Sequence, residues 1–326
     1  MRNHARAVPH IAPDAYRLHV VGSETTHTLR LEDLRTLPRV SAIVTLACAG
    51  NGRTAFTPPI SGGIPWGFGA IATAQWDGVL LRDLLALVGI PAHAEDTAHT
   101  DRAAHTEHAS QTAHAAHVAF DARDEAPDDE RPPYRRSIPL ARALLDGTIV
   151  ADTMNGEPLP PEHGGPVRLI VAGWTANHSM KWLRRITLAH DPDDSHWMTH
   201  DYRVPGPTGS LDVLEATAAI AVIAAPSNGG LYPREIILRG IAYGEPPPHA
   251  VSIEIDNGCV GDAPVSYDDG PYAWGRWAYT ATLPRGRHRI TVRPIDATGN
   301  IGPMQPTWNA KGYRYDGPHA IEVEAE

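Results

Sequence analysis

Of the chain's two cysteines, Cys48 and Cys259, only the first stands where a thiol could do chemistry. In Thr45-Leu46-Ala47-Cys48-Ala49-Gly50-Asn51-Gly52-Arg53 the thiol follows a strand-like run, sits in a Gly-rich turn and has Arg53 shortly after it. A cation and turn amides beside a thiol favour the thiolate, the form that binds a soft metal or acts as a nucleophile. Taken alone, such a cysteine is more often a small buried residue beside a turn. Cys259, in Asp256-Asn257-Gly258-Cys259, reads as structural. Two cysteines this far apart exclude a disulfide framework, a C-x-x-C zinc or redox site and a covalent c-type haem, which needs C-x-x-C-H.

A second group of potential ligands is the histidine series His93, His99, His105, His108, His114 and His117. The pairs 105/108 and 114/117 would share a helix face and could bind zinc, copper or nickel. No cysteine or carboxylate accompanies them at ligand spacing. The whole stretch 92–116 is Ala, Thr, His, Asp and Glu with almost no large apolar residue, so it reads as a mobile surface insertion that cannot offset its ordering entropy.

The elements that must position these residues follow from periodicity. Short strands are expected at Tyr16 to Val21, Ala42 to Leu46, His117 to Phe120 and Val167 to Val171, and helices at Leu80 to Val88, stopped by Gly89-Ile90-Pro91, and at about Pro139 to Leu145. Residues 191–215, rich in Pro, Gly, Asp and Ser, look like a linker or long ordered loop. From about 218 the pattern becomes short alternating strands (Ile236 to Tyr243, Val251 to Ile255, Trp277 to Leu283, His288 to Val292, Ile321 to Val323) between Gly and Pro turns. The expectation is α+β: a mixed α/β domain over 1–215, with 92–116 inserted, and an immunoglobulin-like all-β sandwich over 216–326.

With 326 residues the chain is long enough for two such domains. A net charge of −10 argues against nucleic acid, whose binding needs clustered Lys and Arg. No apolar run approaches the ~18 residues of a membrane helix, and no leader follows Met1, so a cytoplasmic protein is expected, or a periplasmic one if an export leader has been removed.

The turn Cys-Ala-Gly-Asn-x-Arg resembles the molybdenum-ligating segment of the sulfite oxidase family, and the resemblance continues in order. Arg2-Asn3-His4 and Pro13-Asp14-x-Tyr16-Arg17-Leu18-His19-Val20 resemble the entry strand, Trp66 and Trp76-x-Gly78-Val79-x-Leu81 the stretch after the cysteine, and His117-Val118-x-Phe120 with Asp124 the next piece. Met154-Asn155-Gly156-Glu157-Pro158-Leu159-Pro160, His163-Gly164-Gly165-Pro166-Val167-Arg168, Lys181-Trp182-Leu183, Ser195-His196-Trp197 with Asp201-Tyr202, and finally Trp308-Asn309-x-Lys311-Gly312 follow in register. The β-rich tail is similar to the family's dimerisation domain.

That resemblance implies a fold of sulfite-oxidase type and a bound molybdenum-molybdopterin cofactor, with no haem or flavin in this chain. Cys48 would be the metal ligand beside the two dithiolene sulfurs of the pterin. Asn3, His4, Asp124, His163, Arg168, Ser179, Met180 and Lys181 would hold the pterin and its phosphate, which Arg168 and Lys181 suit through charge-assisted hydrogen bonds. Arg2, Arg53, Trp66 and Tyr202 would line an anion pocket beside the metal, with Arg276 as its last cation. The implied activity is oxidation of sulfite to sulfate by oxo transfer. The electrons would go to an external acceptor, for which a cytochrome c is the candidate, and the chain would be a homodimer. Three departures bear on the substrate: Gly52 where many relatives carry arginine, Asn177-His178 where sulfite oxidases usually have Ala-Arg, and Ala172-Gly173-Trp174 for a Pro-Gly pair. They leave open an enzyme of the same family acting on nitrate or another oxyanion. A non-catalytic metal-binding or interaction protein working through the His-rich loop is the alternative of a different class.

Overall fold

The structure, a computed structural model, describes residues 7–91, 115–124, 132–206 and 209–326. Arg2, Asn3, His4 and the histidines from His93 to His114 lie outside the described residues. The chain forms two compact units. One gathers the described residues of 1–42, 74–172 and 176–213, the other 43–73, 173–175 and 214–326. The longest stretch of the second unit runs from Leu214 to Glu326. This unit also takes in the 43–73 segment with Cys48, which sequence reading gave to the N-terminal domain. The reason is packing: Ala47 and Phe56 share a buried cluster with Tyr243 and Tyr315 of the β-rich tail.

The strands that lie wholly or, for β3 and β4, partly in the first unit are β1 (Leu18–Val21), β2 (Thr26–Leu29), β3 (Val40–Ala47), β4 (Ile71–Leu80), β5 (His117–Ala122), β6 (Arg135–Pro139), β7 (Thr148–Met154), β8 (Glu157–Pro158), β9 (Arg168–Val171), β10 (Leu183–Ala189), β11 (Arg203–Pro205) and β12 (Leu211–Val213). Strands β3 and β4 carry the chain into and out of segment 43–73. One sheet has the order β2-β1-β10-β5-β6, with β1 parallel to β10. A second has the order β3-β4-β7-β8, with β9 also on β7, and β11 and β12 form a small ladder. Strand β9, Arg-Leu-Ile-Val, is buried at every residue, as expected of a strand covered on both faces. The helix Leu81–Ala86 buries Leu81, Leu84 and Leu85, an i, i+3, i+4 stripe, and runs into Gly89 at φ 89°.

Of the two readings of residues 191–215, the described ones match the ordered loop, with a short helix and two short strands. Trp197, 0 % exposed, anchors the helix His196–Thr199 ahead of the β11–β12 ladder. Its indole N–H donates to the carbonyls of Pro132 and Pro133.

In the second unit the strands are β13 (Ile220–Ala225), β14 (Leu231–Tyr232), β15 (Glu235–Tyr243), β16 (Ala250–Ile255), β17 (Gly258–Pro264), β18 (Gly275–Thr282), β19 (Gly286–Ile295) and β20 (His319–Ala325). They build a sheet β13-β15-β18 and a sheet β14-β20-β19-β16-β17. Alternate residues of both, among them Leu238, Trp277, Val251, Ile253, Ile290 and Val323, meet in one core. Strands β16 and β17 are joined by Asp256 and Asn257, both at positive φ, in the turn expected of a tight hairpin. Cys259 follows on the hairpin's exposed side. Among the described residues no helix is long and apolar enough to cross a membrane.

Candidate active site

The proposed site residues fall into two groups, one in each unit.

In the second unit the Cys48 turn is held by backbone and side chain together. The Cys48 amide donates to Ala70 O at 2.9 Å, and its carbonyl accepts from the Asn51 amide at 3.0 Å. The Asn51 side chain, 6 % exposed, accepts from the Ala70 amide at 2.9 Å and donates to the Tyr243 hydroxyl at 2.5 Å. Burial keeps Tyr243 protonated far above neutrality, and a charge on Cys48 would push it further the same way. Cys48 itself is half-buried and unbridged.

Arg53 is 9 % exposed. Its Nε donates to Lys311 O at 3.1 Å and its Nη1 to Ile64 O at 2.8 Å, and its guanidinium carbon lies 5.5 Å from the Tyr313 ring centroid. The Gly-rich turn makes room for it: a Cβ on Gly50 would lie 2.4 Å from Arg53 Nη2. Gly52, the departure from the family pattern, has φ 81°, and a Cβ there would lie 2.9 Å from Tyr315. An arginine at that position would be strained and would meet an aromatic ring. Trp66 is half-buried, and its backbone pairs with Thr54 and Ile64.

Arg276 is on β18 at an outward-facing position, its side chain 58 % exposed and ion-paired with Asp269. The lysine whose backbone the structure brings to Arg53 is Lys311. Sequence reading quoted Lys311 in the closing motif but gave it no role, because β18 offered an arginine beside a tryptophan and nothing in the spacing showed which segment folds back on the turn.

In the first unit the centre is Arg168, 1 % exposed. Its Nη1 donates to His163 O and its Nη2 to Ser179 O, both at 2.8 Å, and the guanidinium lies 4.8 Å from the Trp76 ring centroid. Its Nε has no partner, and among the described residues no carboxylate pairs with it. Burial pulls its pKa down to about 9. Lys181, next to it electrostatically, is pulled down to about 8, by burial first and then by Arg168. The exposed His163 is lowered by burial and by both cations. Two cations held close together, one of them buried, repel each other and together suit a polyanion.

Ser179 and Met180 are buried: Ser179 Oγ accepts from the Val171 amide and Met180 O from the Leu169 amide, which fixes this loop against β9. Asp124 is 6 % exposed, its Oδ1 has no partner, and burial lifts its pKa to about 6. Asn177 also presents an amide whose Nδ2 and Oδ1 are both buried and unpaired, while its carbonyl accepts from the Tyr134 hydroxyl at 2.6 Å. An open carboxyl, an open amide and a cation pair are the complement of a pterin's N–H and carbonyl edge with a phosphate tail, so the donor set fits that group. Tyr202 is half-buried at φ 55°. Among the described residues no three of His, Cys, Asp or Glu converge as a metal cluster, and a metal held by a single protein thiolate and pterin sulfurs requires none.

A family model for the oxidoreductase molybdopterin binding domain matches residues 4–197. The sulfite oxidase of Gallus gallus is 32 % identical, over 95 % of this chain and 68 % of its own length. The mitochondrial sulfite oxidase of Macaca fascicularis is 32 % identical over 99 % of this chain, and the chain spans 60 % of that relative's length. A crystal structure of the sulfane dehydrogenase SoxCD from Paracoccus pantotrophus matches with TM-score 0.76 at 22 % identity, over 98 % of this chain and 80 % of that one, which shows the fold. With the family model over more than half its residues and sulfite oxidases aligned along nearly all of it, this chain belongs to the sulfite oxidase family of molybdopterin-binding oxidoreductases.

Proposed function

We propose that the protein is a molybdenum-dependent oxidoreductase that converts sulfite to sulfate. The observation that carries this reading is Arg168, a fully buried guanidinium with Lys181 as neighbour and, among the described residues, no acid paired with it, inside the matched molybdopterin-binding domain. Arg168 and Lys181 bind the cofactor's phosphate, and Asp124 and Asn177 receive the pterin edge. His163, Ser179 and Met180 shape the backbone around it, with Asn3 and His4 contributing from the chain start. Cys48 is the metal ligand, and the Ala70–Asn51–Tyr243 hydrogen bonds fix the direction of its turn. The cofactor supplies oxygen-atom transfer and takes up two electrons when bound; the chain supplies binding, orientation and electrostatics.

Sulfite is a dianion drawn to a net negative protein, so local cations must attract it. Arg53 provides one, with Lys311 taking the place first read for Arg276, and Arg2 a further one. Trp66 closes an apolar wall, and Tyr202 donates a hydrogen bond to a substrate oxygen. Water provides the oxygen atom that sulfate gains, and the two electrons leave for an external acceptor, with a cytochrome c as candidate. The two sheets of the second unit are read as an immunoglobulin-like sandwich that makes a homodimer, using exposed apolar residues such as Leu231 and Ile237. The test is elemental analysis with steady-state assays on sulfite and on nitrate. About one molybdenum per chain and sulfite-dependent reduction of an acceptor support the reading; zinc or nickel without molybdenum, or turnover of nitrate alone, overturns it.

A further inference from the structure

Arg136 on β6 has no role in the site as described so far, yet it is among the most buried charged groups of the chain, 1 % exposed. Its neighbour Arg135 takes both nearby acids, Asp121 at 2.7 Å and Asp193 at 3.0 Å. Arg136 has no carboxylate partner among the described residues; its Nη1 donates to Trp197 O, and its Nε is buried without an acceptor. Its Nη2 lies 3.1 Å from His178 Nε2, and its guanidinium carbon 5.5 Å from the centroid of the Tyr202 ring.

Each contact has a consequence. A guanidinium has no lone pair to offer, so His178 Nε2 is the acceptor, and the ring is neutral with its proton on Nδ1. The position where an arginine stands in the family pattern therefore carries no charge here. The face of Tyr202 rests against a permanent cation, which holds the ring by cation–π attraction. Tyr202 itself is held at φ 55°, a left-handed backbone that a tyrosine adopts only when its surroundings impose it. A buried cation with no acid bonded to it among the described residues is costly, even with Asp193 acting on it from a distance. Behind a phenol that is read as a donor to the substrate, such a charge has a use.

We propose that Arg136 is a positioning residue of the oxyanion site. It sets the orientation of Tyr202, fixes His178 as a neutral ring, and supplies from β6 the permanent positive charge that position 178 lacks, so that a sulfur oxyanion at the Tyr202 hydroxyl is favoured. The inference rests on the reading that Tyr202 lines the substrate site.

The test compares Arg136→Met, Arg136→Gln, Arg136→Lys and Tyr202→Phe in the metal-loaded protein. The readouts are sulfate affinity by calorimetry, KM and kcat for sulfite, molybdenum content and thermal midpoint. One unit charge roughly 8 Å from the ligand in a medium of effective dielectric about 20, partly screened by salt, predicts about tenfold weaker sulfate binding and a similarly raised KM for the Met and Gln variants. The Lys variant, which keeps the charge, should stay within about threefold on the same reasoning. Gln can still donate to Trp197 O and carries the test if Met does not fold. If Tyr202→Phe weakens sulfate binding while neither neutral Arg136 variant does, with molybdenum retained, the inference is overturned and the site assignment stands. If Tyr202→Phe changes nothing either, the site assignment itself is wrong and the inference goes with it. Equal losses in the Lys and Gln variants would also overturn it, since charge would then not be what matters.

Discussion

Replacing Asp124 with Asn should remove a pH dependence of stability that the buried carboxyl imposes. Asp124 is 6 % exposed, and burial lifts its pKa from 3.8 to about 6 against the opposing pull of its backbone hydrogen bond and Arg184. A raised pKa in the folded protein means that the native state holds this proton more tightly than the unfolded chain does. Its stabilising contribution is therefore complete below the unfolded value near 3.8 and is lost as pH rises through 6. A shift of roughly two pH units at about 1.4 kcal/mol each amounts to about 3 kcal/mol across the window. The assay is urea unfolding of the cofactor-free protein and of Asp124→Asn at several pH values between about 4 and 7. The wild-type protein should lose about 2–3 kcal/mol relative to the variant as pH rises through this range. Cofactor loading should shrink that difference, because pterin N–H donors favour the carboxylate. A difference that stays constant across the window would refute the reasoning.

Arg168→Lys keeps a charge but lacks the planar fork whose two ends bond His163 O and Ser179 O. One buried carbonyl is left without its donor at a cost of about 1–3 kcal/mol, so molybdenum content after purification should fall severalfold; unchanged content would count against the phosphate role. Arg53→Met should raise KM for sulfite more than it lowers kcat, since charge pairing acts in ground and transition states alike. It should also lower the thermal midpoint, because Lys311 O and Ile64 O lose their donors. A variant with wild-type KM would remove Arg53 from the substrate site. Deleting residues 93–115, His-rich and poor in large apolar residues, should leave molybdenum content and turnover unchanged; a large loss of either would show that the segment works.

The sequence announces those parts of the fold whose signals are local. The helix Leu81–Ala86 is visible in its leucine stripe and Gly-Ile-Pro stop, and β15, β16 and β19 in alternation that one buried face produces. Strand β4 was not read, although it has ten residues, because its Ile-Ala-Thr-Ala-Gln-Trp-Asp-Gly start has little apolar contrast. Gly78 sits within it because a Cβ there would lie 2.1 Å from Val150 O, a contact only the fold reveals. Strand β10, Leu-Arg-Arg-Ile-Thr-Leu-Ala, is masked by its paired arginines in the same way.

At the site, Arg168, Lys181 and Asp124 came from motifs in register, and the structure adds that Arg168 and Asp124 are buried, each with a polar atom that has no partner among the described residues. Long-range partners were illegible. Tyr243 reaches Asn51 and Lys311 reaches Arg53 across most of the chain, and no spacing encodes such a meeting. Arg136, in a basic strand start without any motif, gave no signal at all. Arg276 attracted the cation role by its aromatic neighbours, yet strand alternation turns it outward to Asp269.

The central claim is that molybdenum is bonded to the sulfur of Cys48, and X-ray absorption at the molybdenum edge tests it most directly, on the wild-type protein and on Cys48→Ser. The account predicts about one molybdenum per chain in the wild type and, in whatever metal the variant retains, one sulfur ligand fewer with loss of sulfite-dependent turnover. The same sulfur count in both proteins, or a metal-loaded variant as active as the wild type, would contradict it.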